Sequence, residues 1–456
     1  MIDTVLRRGP GVAPNLAAAA DGSRQLLAAG KPAIFLPADQ YLHRGAPTEW
    51  WWHVGTLKAG ERVFGFEINA AGFSDRGYAF SQIMLSDVAN SRHYQRSTTY
   101  WPPVGVDFAN WAEHDPTRDW HVGLGSVANR LSAIKVTNPG GGYSAEKPPT
   151  VTISGGGGSQ GQAYAVVANG AIASIYVTNP GRGYTSAPQV TISGGPGQGA
   201  AAEAIHTYVT MDAAWGDPTQ NMAITALLVD DATGTEVYFD LMMSQQGPPF
   251  PVWGTGVQPL KPPGSGTHLQ TNNYYYSLTR LAATGTISIV PAKGASNIAR
   301  ETLPVSGTTW MDHEYGSFGT ASQPVKWILQ DAQLDNGWTL SNFAIGSSFE
   351  LGKPIVSFVT LQDPDGKTYF GPSLLKPTGE TWTSPTTGVT YFMEFEIEIL
   401  DIAHPFHPIK LTIKSLLKDQ EFPSGPGAGT YEGVAAATGT FRGQTVSGTA
   451  WNEQAH

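Results

Sequence analysis

The chain has 456 residues, a formal net charge of −10 at pH 7 and no cysteine. The missing cysteines exclude disulfides, thiolate nucleophiles, iron–sulfur clusters and cysteine zinc sites. The acidic balance, without a long basic run, argues against a nucleic-acid partner, because phosphate binding needs clustered Lys and Arg. Charged residues make up only 14%, whereas 54 Gly, 33 Pro, 13 Trp, 17 Tyr and 18 Phe are present, which favours many strands joined by tight turns.

The first 34 residues are predicted to be a leader with some helical character. Its apolar patch, Ala17 to Ala20, is too short for the core of a secretory signal and is followed by Asp21. No apolar stretch approaches the roughly 20 residues of a membrane span. We therefore expect a cytoplasmic protein, with export as the alternative if a signal peptide has been removed.

Strand patterns dominate from Phe35 onward. Residues 56–68 alternate apolar and polar side chains around Gly60, which predicts a hairpin. Similar patterns occur at three later places: 223–229 with 236–241, 327–334 with 338–343, and 391–400 with 409–416. The pattern predicts an all-β protein of short antiparallel strands.

An internal repeat of about 40 residues occupies residues 126–204. Ile134 to Tyr143 recurs as Ile175 to Tyr184, and each copy is followed by Val-Thr-Ile-Ser-Gly-Gly. The segment has almost no Asp, Glu or His. We interpret it as an inserted β-module without chemistry of its own, and a binding module for a glycan or a partner is the alternative.

The insert divides the chain. We expect an N-terminal domain over residues 35–275, interrupted by 126–204, and a C-terminal domain over 276–456.

The first chemical run is Glu49-Trp50-Trp51-Trp52-His53. In a strand, Glu49, Trp51 and His53 share one face, and the other two tryptophans share the opposite face. We expect one face to pack at the domain junction and the other to line a cavity. The alternative is packing alone, with Glu49 paired to an arginine such as Arg44 or Arg62.

The second run extends from Gly307 to Gly316 and contains Trp310-Met311-Asp312-His313-Glu314-Tyr315. Alternation places Asp312 on the face of Trp310 and away from His313. An Asp beside Trp in a dry pocket keeps its proton more readily, because desolvation penalises the anion. Such an acid can donate a proton near neutral pH. The alternative is a structural Asp–His hydrogen bond.

The sequence offers little for metal or serine chemistry. His53, His313, Glu49 and Glu314 have suitable donor atoms, but no His-x-His, His-x-x-x-His or His-Glu-x-x-His spacing occurs. No Gly-x-Ser-x-Gly elbow is present. We therefore expect no metal site and no cofactor.

Five ordered segments resemble a known family. The segment 47–57 resembles the Glu-Trp-Trp signature of the carotenoid 1,2-hydratases (hydroxyneurosporene synthases) and AttH-like proteins, and 307–316 resembles their Gly-x-x-Trp-Met-Asp-His-Glu motif. Further matches are the inter-domain strand at Tyr274 to Leu281 and the C-terminal landmarks at 382–388 and 431–433. The match covers about 35–125 and 205–454.

The resemblance implies two tandem lipocalin-like β-barrels. Its members hydrate isolated double bonds of prenyl or polyene chains, and distant fungal relatives are cyclases of the Diels–Alder type. This chain departs from the pattern in its repeat insert and in Trp52, where Tyr is usual. The family label does not transfer a substrate, because one fold hosts several reactions.

We expect a cofactor-free hydratase acting on an apolar isoprenoid or polyene in natural product biosynthesis. Asp312 is the expected proton donor, and His313, His53 or Glu49 orients it or deprotonates water. The expected substrate-binding residues are Trp50, Trp51, Trp52, His53, Tyr275, Trp310, Glu314, Tyr315 and Trp338. The alternatives are a cyclase or isomerase of a polyene and a lipocalin-type carrier of a hydrophobic ligand. Homo-oligomerisation is left open.

Overall fold

A computed structural model describes residues 26–455, except 101–104, 114–116, 126–130, 132, 185–186, 206, 263, 293–296, 319–325, 347 and 400–406. The N-terminal half of the described chain forms these strands: β1 (Leu27–Ala28), β2 (Thr48–Ala59), β3 (Arg62–Phe73), β4 (Tyr78–Asp87), β5 (Arg92–Tyr100), β6 (Trp120–Gly125), β7 (Ala133–Asn138), β8 (Thr150–Ser154), β9 (Ser159–Ala168), β10 (Ala171–Arg182), β11 (Gln189–Ser193), β12 (Ala201–Ile205), β13 (Tyr208–Ala213) and β14 (Met222–Val229).

The remaining strands are β15 (Glu236–Gln245), β16 (Phe250–Pro251), β17 (Val257–Pro259), β18 (Asn272–Val290), β19 (Glu301–Gly316), β20 (Lys326–Leu334), β21 (Thr339–Gly346), β22 (Ile355–Gln362), β23 (Thr368–Thr383), β24 (Thr390–Ile399), β25 (Ile409–Ser415), β26 (Glu421–Gly425), β27 (Ala428–Phe441) and β28 (Gln444–Ala455). The helices of the described chain are short: α1 (Phe108–Ala112), α2 (His268–Thr271) and the 3₁₀ turns Ala38–Gln40 and Val252–Gly254. The prediction of an all-β, lipocalin-like protein is confirmed.

The first barrel is a nearly closed antiparallel sheet in the order β5-β4-β3-β2-β19-β18-β15-β14-β13-β6, with β16 and β17 paired to β18. Contacts outside the strand pairs link the edge strand β5 to the other end of the sheet. The backbone N–H of Gln95 on β5 donates to Asp230 Oδ1, next to β14, at 3.0 Å, and the Thr98 and Thr207 hydroxyls lie 3.4 Å apart. Alternate residues of these strands fill the interior with an apolar core.

The second barrel is a closed ring. Its strands follow the order β23-β22-β21-β20-β28-β27-β25-β24, and β24 pairs again with β23. Eight strands give an interior that side chains can fill, and here aliphatic and aromatic residues fill it. The short strand β1 pairs antiparallel with the start of β23, with Leu27 opposite Phe370.

The repeat module, residues 131–205, is inserted at the end of a hairpin. Strands β6 and β13 pair directly, with Gly125 opposite Tyr208. The module is inserted into the chain between these two residues, in the place of a hairpin turn. It forms its own sheet, β12-β7-β10-β9, and a two-stranded pair, β8 with β11. Its two copies bury equivalent tyrosines, Tyr143 and Tyr184, in a separate core.

The two barrels pack against each other over an apolar interface. Val54, Met84 and Trp310 of the first barrel contact Val434 and Trp451 of the second. Strand β3 approaches β27 so closely that a Cβ atom on Gly65 would lie 2.5 Å from Val434 Cβ. The sequence therefore needs glycine at this crossing for steric reasons.

The pairing differs from the domain boundary that we expect at residue 275. Strands β18 and β19, which include residues 276–316, belong to the first barrel. Strand periodicity does not reveal which sheet a strand joins, because that choice depends on partners far away in sequence. Residues 1–25 of the expected leader lie outside the described residues. Among the described residues, no helix has the length and apolarity that crossing a membrane requires.

Candidate functional site

The two runs singled out in the sequence lie side by side. Strands β2 and β19 pair antiparallel, with Trp52 opposite Asp312 and Trp51 opposite His313. Side chains alternate across the paired strands as expected from the pleat. Each face of this two-strand ribbon therefore collects residues from both runs.

The inner face of the ribbon points into the first barrel. Trp51, Met311 and Tyr315 belong to the barrel core, and Glu49 and His313 are buried among them. The outer face meets the second barrel: Trp52, Trp310 and Tyr275 pack in the interface cluster. Trp50, also on the outer face, contacts Phe73 and Phe318.

The outer face holds Asp312 in a hydrogen-bonded, buried position at the barrel junction. Its Oδ1 atom accepts bonds from the Ser277 hydroxyl at 2.5 Å and from the Trp310 indole N–H at 2.8 Å. Burial raises the pKa of Asp312 to about 6, and the bonds from Ser277, Trp310 and Tyr275 oppose that rise. The carboxyl group can therefore exchange a proton close to neutral pH.

Five further carboxyl groups surround Asp312 on this side of the sheet: Glu67, Glu314, Asp331, Glu432 and Glu453. Burial and mutual repulsion raise the pKa of each one, and that of Glu453 reaches about 7. Two of these carboxyl groups accept hydrogen bonds from uncharged side chains. Trp451 donates to Glu432 at 2.9 Å and Asn273 donates to Glu314 at 2.6 Å.

A crevice opens at the junction between the two barrels. Trp310 and Trp451 line it from opposite barrels, and Asp331 lies beside them. Its volume is about 20 Å³, which is room for one water molecule. A larger molecule can enter only if side chains or the barrels themselves move.

A second cluster lies on the inner face, near one end of the first barrel. Glu49 Oε1 is 2.7 Å from His43 Nδ1 and 3.1 Å from His313 Nε2. The backbone N–H of His43 also donates to both Glu49 oxygens, at 2.9 and 3.1 Å.

These contacts set the charges of the inner cluster. Although burial opposes them, hydrogen bonds with His313 and His43 hold the pKa of Glu49 below its usual value. Burial lowers the pKa of His43, but its bonds with Asp39 and Glu49 prevail and raise that pKa to about 9. Burial lowers the pKa of His313 to about 4.

Several sequence expectations about this site change. His313 and Glu49 are expected to orient Asp312 or to deprotonate water, but they lie on the opposite face of the sheet from Asp312 and contact each other. His53 is buried in the first barrel with both ring nitrogens unpartnered. Trp338 lies in the turn between β20 and β21 and packs against Phe441 and the core of the second barrel.

The alternative partners for Glu49 are also corrected. Arg44 binds Glu113 and Asn110, whereas Arg62 binds Asp87 and Glu301. Glu49 instead pairs with His43, which a turn brings back onto the start of β2.

Sequence reasoning missed His43, Ser277, Asp331 and Trp451. A signal for one of them was present: Trp451-Asn452-Glu453 repeats the Trp-x-acid spacing of Trp310-Met311-Asp312. In a strand, that spacing places the indole and the carboxyl group on one face. No comparable local signal marks His43, Ser277 or Asp331.

Solved structures share this architecture. An AttH protein from Nitrosomonas europaea has 18% sequence identity and a TM-score of 0.55, and the match covers 93% of this chain and 97% of that one. Kievitone hydratase from Nectria haematococca has 14% identity and a TM-score of 0.53, with 94% of each chain covered. These similarities establish the fold.

No curated protein matches the chain at a significant level. The AttH-like family model matches residues 159–453, which is more than half of the sequence. The chain therefore belongs to the AttH-like family.

Proposed function

We propose that the protein is a hydratase that adds water to a carbon–carbon double bond of an apolar isoprenoid or polyene, with Asp312 as the general acid. One observation carries the proposal. Asp312 is buried between two barrels, held by Ser277 and Trp310, with its pKa raised to about 6. A carboxyl group with such a pKa is partly protonated near neutral pH and can give its proton to a weak base.

The proposed reaction uses the Asp312 carboxyl group twice, first as an acid and then as a base. The O–H bond of Asp312 breaks as a C–H bond forms on one alkene carbon, which leaves a carbocation on the other. Water then forms a C–O bond to that carbon and loses a proton to the Asp312 carboxylate, which restores the acid. Atoms and charge balance over the cycle without another reactant.

The tryptophans beside the crevice support the cationic intermediate. Trp310 and Trp451 line it from the two barrels, and the face of an indole ring attracts a cation within about 6 Å. Burial and neighbouring carboxyl groups raise the pKa values of the acids around Asp312, so each of them keeps its proton to a higher pH than an exposed carboxyl group does. The site therefore combines a proton donor with aromatic surfaces in a dry setting.

Substrate entry requires movement. The crevice of about 20 Å³ has room for one water molecule but not for an isoprenoid, and Asp312 adjoins it through the Trp310 indole rather than lining it. The proposal therefore includes local separation of the barrels at the Trp310–Trp451 contact when substrate binds. His313 and Glu49, on the far face, have positioning roles through β2 and β19 rather than chemical roles.

The test compares Asp312→Asn with the wild-type protein, using neurosporene as a linear polyprenoid probe and kievitone as a prenylated phenolic probe. Kievitone is chosen because one structural relative is named for its hydration. The variant should lose about 10²- to 10⁴-fold in turnover, the range typical of a positioned acid. Asp240→Asn makes the same chemical change at an exposed position of β15 and should leave turnover unchanged.

The product identifies the reaction class. A gain of one water supports hydration, whereas turnover with unchanged mass supports a cyclase or isomerase. Binding of both probes without any turnover supports a carrier. Full activity in Asp312→Asn contradicts the proposed role of that residue.

A further inference from the structure

We infer that the inner cluster of the first barrel, His43, Glu49 and His313, is a binding site for a divalent transition-metal ion of the zinc class. This site lies on the opposite face of β19 from Asp312 and does not depend on the proposed hydratase reaction. Its three potential donor atoms lie within 4.8 Å of one another.

The donor set fits zinc. Two imidazole nitrogens and one carboxylate oxygen match the two-His, one-Glu ligand set of catalytic zinc sites, which leaves a fourth position for water. Zinc–ligand bonds are roughly 2.0–2.2 Å long. The present separations of 2.7 and 3.1 Å are hydrogen-bond lengths, so metal binding requires the three side chains to spread by a few tenths of an ångström.

Each histidine has an outer polar partner, within hydrogen-bond distance for His313 and at ion-pair distance for His43. The second nitrogen of His313 lies 3.0 Å from the Tyr276 hydroxyl, and that of His43 lies 3.8 Å from Asp39 Oδ1. Such partners fix the ring orientation and direct the other nitrogen at the metal.

Proton counting at His313 points in the same direction. The single hydroxyl hydrogen of Tyr276 is donated to Gln40 Oε1 at 2.5 Å. A neutral His313 that donates from Nδ1 to Tyr276 presents the lone pair of Nε2 to Glu49 Oε1, and a proton on Nε2 instead makes the hydrogen bond to Glu49 described above. Two acceptors that face each other at 3.1 Å need a proton or a metal ion between them.

Aromatic contacts hold the ligands in place. Trp51 stacks on His313 with ring centroids 4.2 Å apart, and Tyr315 stacks on His43 at 3.6 Å. Tyr274 stacks in turn on Tyr315. Such packing limits the side-chain entropy that an ion must offset on binding.

Charge and access also fit a cation. Among the described residues, the ion-pair partners of Glu49 and Asp39 are histidines, and a metal ion that displaces the proton of His43 leaves two carboxylate charges to balance its own. His43 and Asp39 retain 16% and 20% side-chain exposure. An ion can therefore reach the cluster from solvent without passing through the core.

The inferred metal site differs from the sequence-based expectation of no metal site. That expectation rested on ligand spacing along the sequence, but these ligands come from a turn and from two strands more than 250 residues apart.

The test is calorimetric titration of Zn²⁺ into the full-length protein after dialysis against a chelator. We expect one strong site per chain, and Co²⁺ in the same site should give the visible absorption of a four-coordinate ion. His43→Ala and Glu49→Gln should abolish the strong site and the Co²⁺ bands. Tyr276→Phe removes only the outer partner and should weaken Zn²⁺ binding by about 10- to 100-fold.

His407→Ala, which removes an exposed histidine in the second barrel, serves as the matched control and should bind Zn²⁺ as the wild type does. Thermal unfolding of each variant without metal verifies its fold, and Zn²⁺ should raise the unfolding temperature of the wild type but not of His43→Ala. The inference is overturned if the wild type has no strong site, or if the site survives in both His43→Ala and Glu49→Gln.

Discussion

At the scale of single residues, the central feature is a carboxyl group whose surroundings favour its protonated form. Asp312 keeps its geometry through Ser277 and Trp310 but lacks a basic partner among its described hydrogen bonds. Such a group costs stability when it ionises, because its charge is desolvated. If Asp312 serves chemistry rather than stability, its ionisation should lower the free energy of unfolding.

Replacing Asp312 by Asn should therefore stabilise the protein at alkaline pH. The folded-state pKa of Asp312, about 6, lies above the ordinary value of 3.8, so its contribution to stability is complete below 3.8 and is lost as pH rises through 6. The loss amounts to about 3 kcal/mol in the free energy of unfolding. Asn stays neutral and still accepts the bonds from Ser277 and Trp310.

The measurement is the difference in unfolding temperature between Asp312→Asn and wild type at about pH 5 and about pH 8. The difference should be larger at the higher pH, and Asp240→Asn should show no such trend. A variant that is no more stable than wild type at the higher pH would contradict the raised pKa of Asp312.

Residue alternation within the two runs was predictable from sequence. The faces expected for Glu49, Trp51, Asp312 and His313 are those that the paired strands show. The contact of His43 with Glu49 was not predictable, because it depends on how a short turn folds back onto β2. Strand periodicity carries no information about such turns.

At the scale of elements, the repeat module is the most separable part of the molecule. Its core is its own, and it joins the first barrel through the end of the β6–β13 hairpin. A polar contact with the barrel is the bond from Lys135 Nζ to the Asp231 carbonyl at 3.4 Å. The sequence predicted an inserted β-module here, because the repeat is visible without structure.

Replacing residues 126–207 by Asn-Gly should leave both barrels folded, although it removes the contact between Thr98 and Thr207. The two-residue turn suits the directly paired ends Gly125 and Tyr208, because Asn-Gly favours the tight hairpin turn. We expect a soluble protein with an unchanged far-ultraviolet β-sheet spectrum after correction for length, and turnover equal to that of the full chain. Loss of folding or of turnover would show that the module supports the barrel or the site.

Gly65 is the element-scale test of the barrel interface. A Cβ atom there would lie 2.5 Å from Val434 Cβ, so Gly65→Ala should force β3 and β27 apart. We expect destabilisation of about 1–3 kcal/mol in the free energy of unfolding, as for other overpacked sites.

Gly141→Ala is the matched control, because a Cβ atom at Gly141 meets nothing within 4 Å. Equilibrium unfolding in urea compares the two variants with wild type. Equal stability of Gly65→Ala and wild type would mean that the interface is looser than described.

At the scale of the whole molecule, two barrels share one buried acidic junction. Asp312 and Glu67 come from the first barrel, whereas Asp331, Glu432 and Glu453 come from the second. Burial and neighbouring carboxyl groups raise their pKa values, so the closed junction disfavours their charged forms. Ionisation on both sides would set like charges on opposite barrels and favour their separation.

The tandem lipocalin-like fold was predictable from local strand patterns and from the resemblance to a family. The pairing of β2 with β19 was not, because it joins segments about 260 residues apart and hydrophobic alternation does not specify partners. That one pairing places both chemical runs in a single ribbon. It also explains why β19 belongs to the first barrel.

The most direct test of Asp312 as the proton donor is the mass of the product. Wild type and Asp312→Asn are incubated with neurosporene or kievitone in D₂O. The products are then returned to H₂O, so that only carbon-bound deuterium remains. Proton transfer from Asp312 predicts a wild-type product that has gained one water and retains one carbon-bound deuterium, and a large loss of that product in the variant. A product of unchanged mass, or equal formation of the hydrated product by both proteins, would contradict the account.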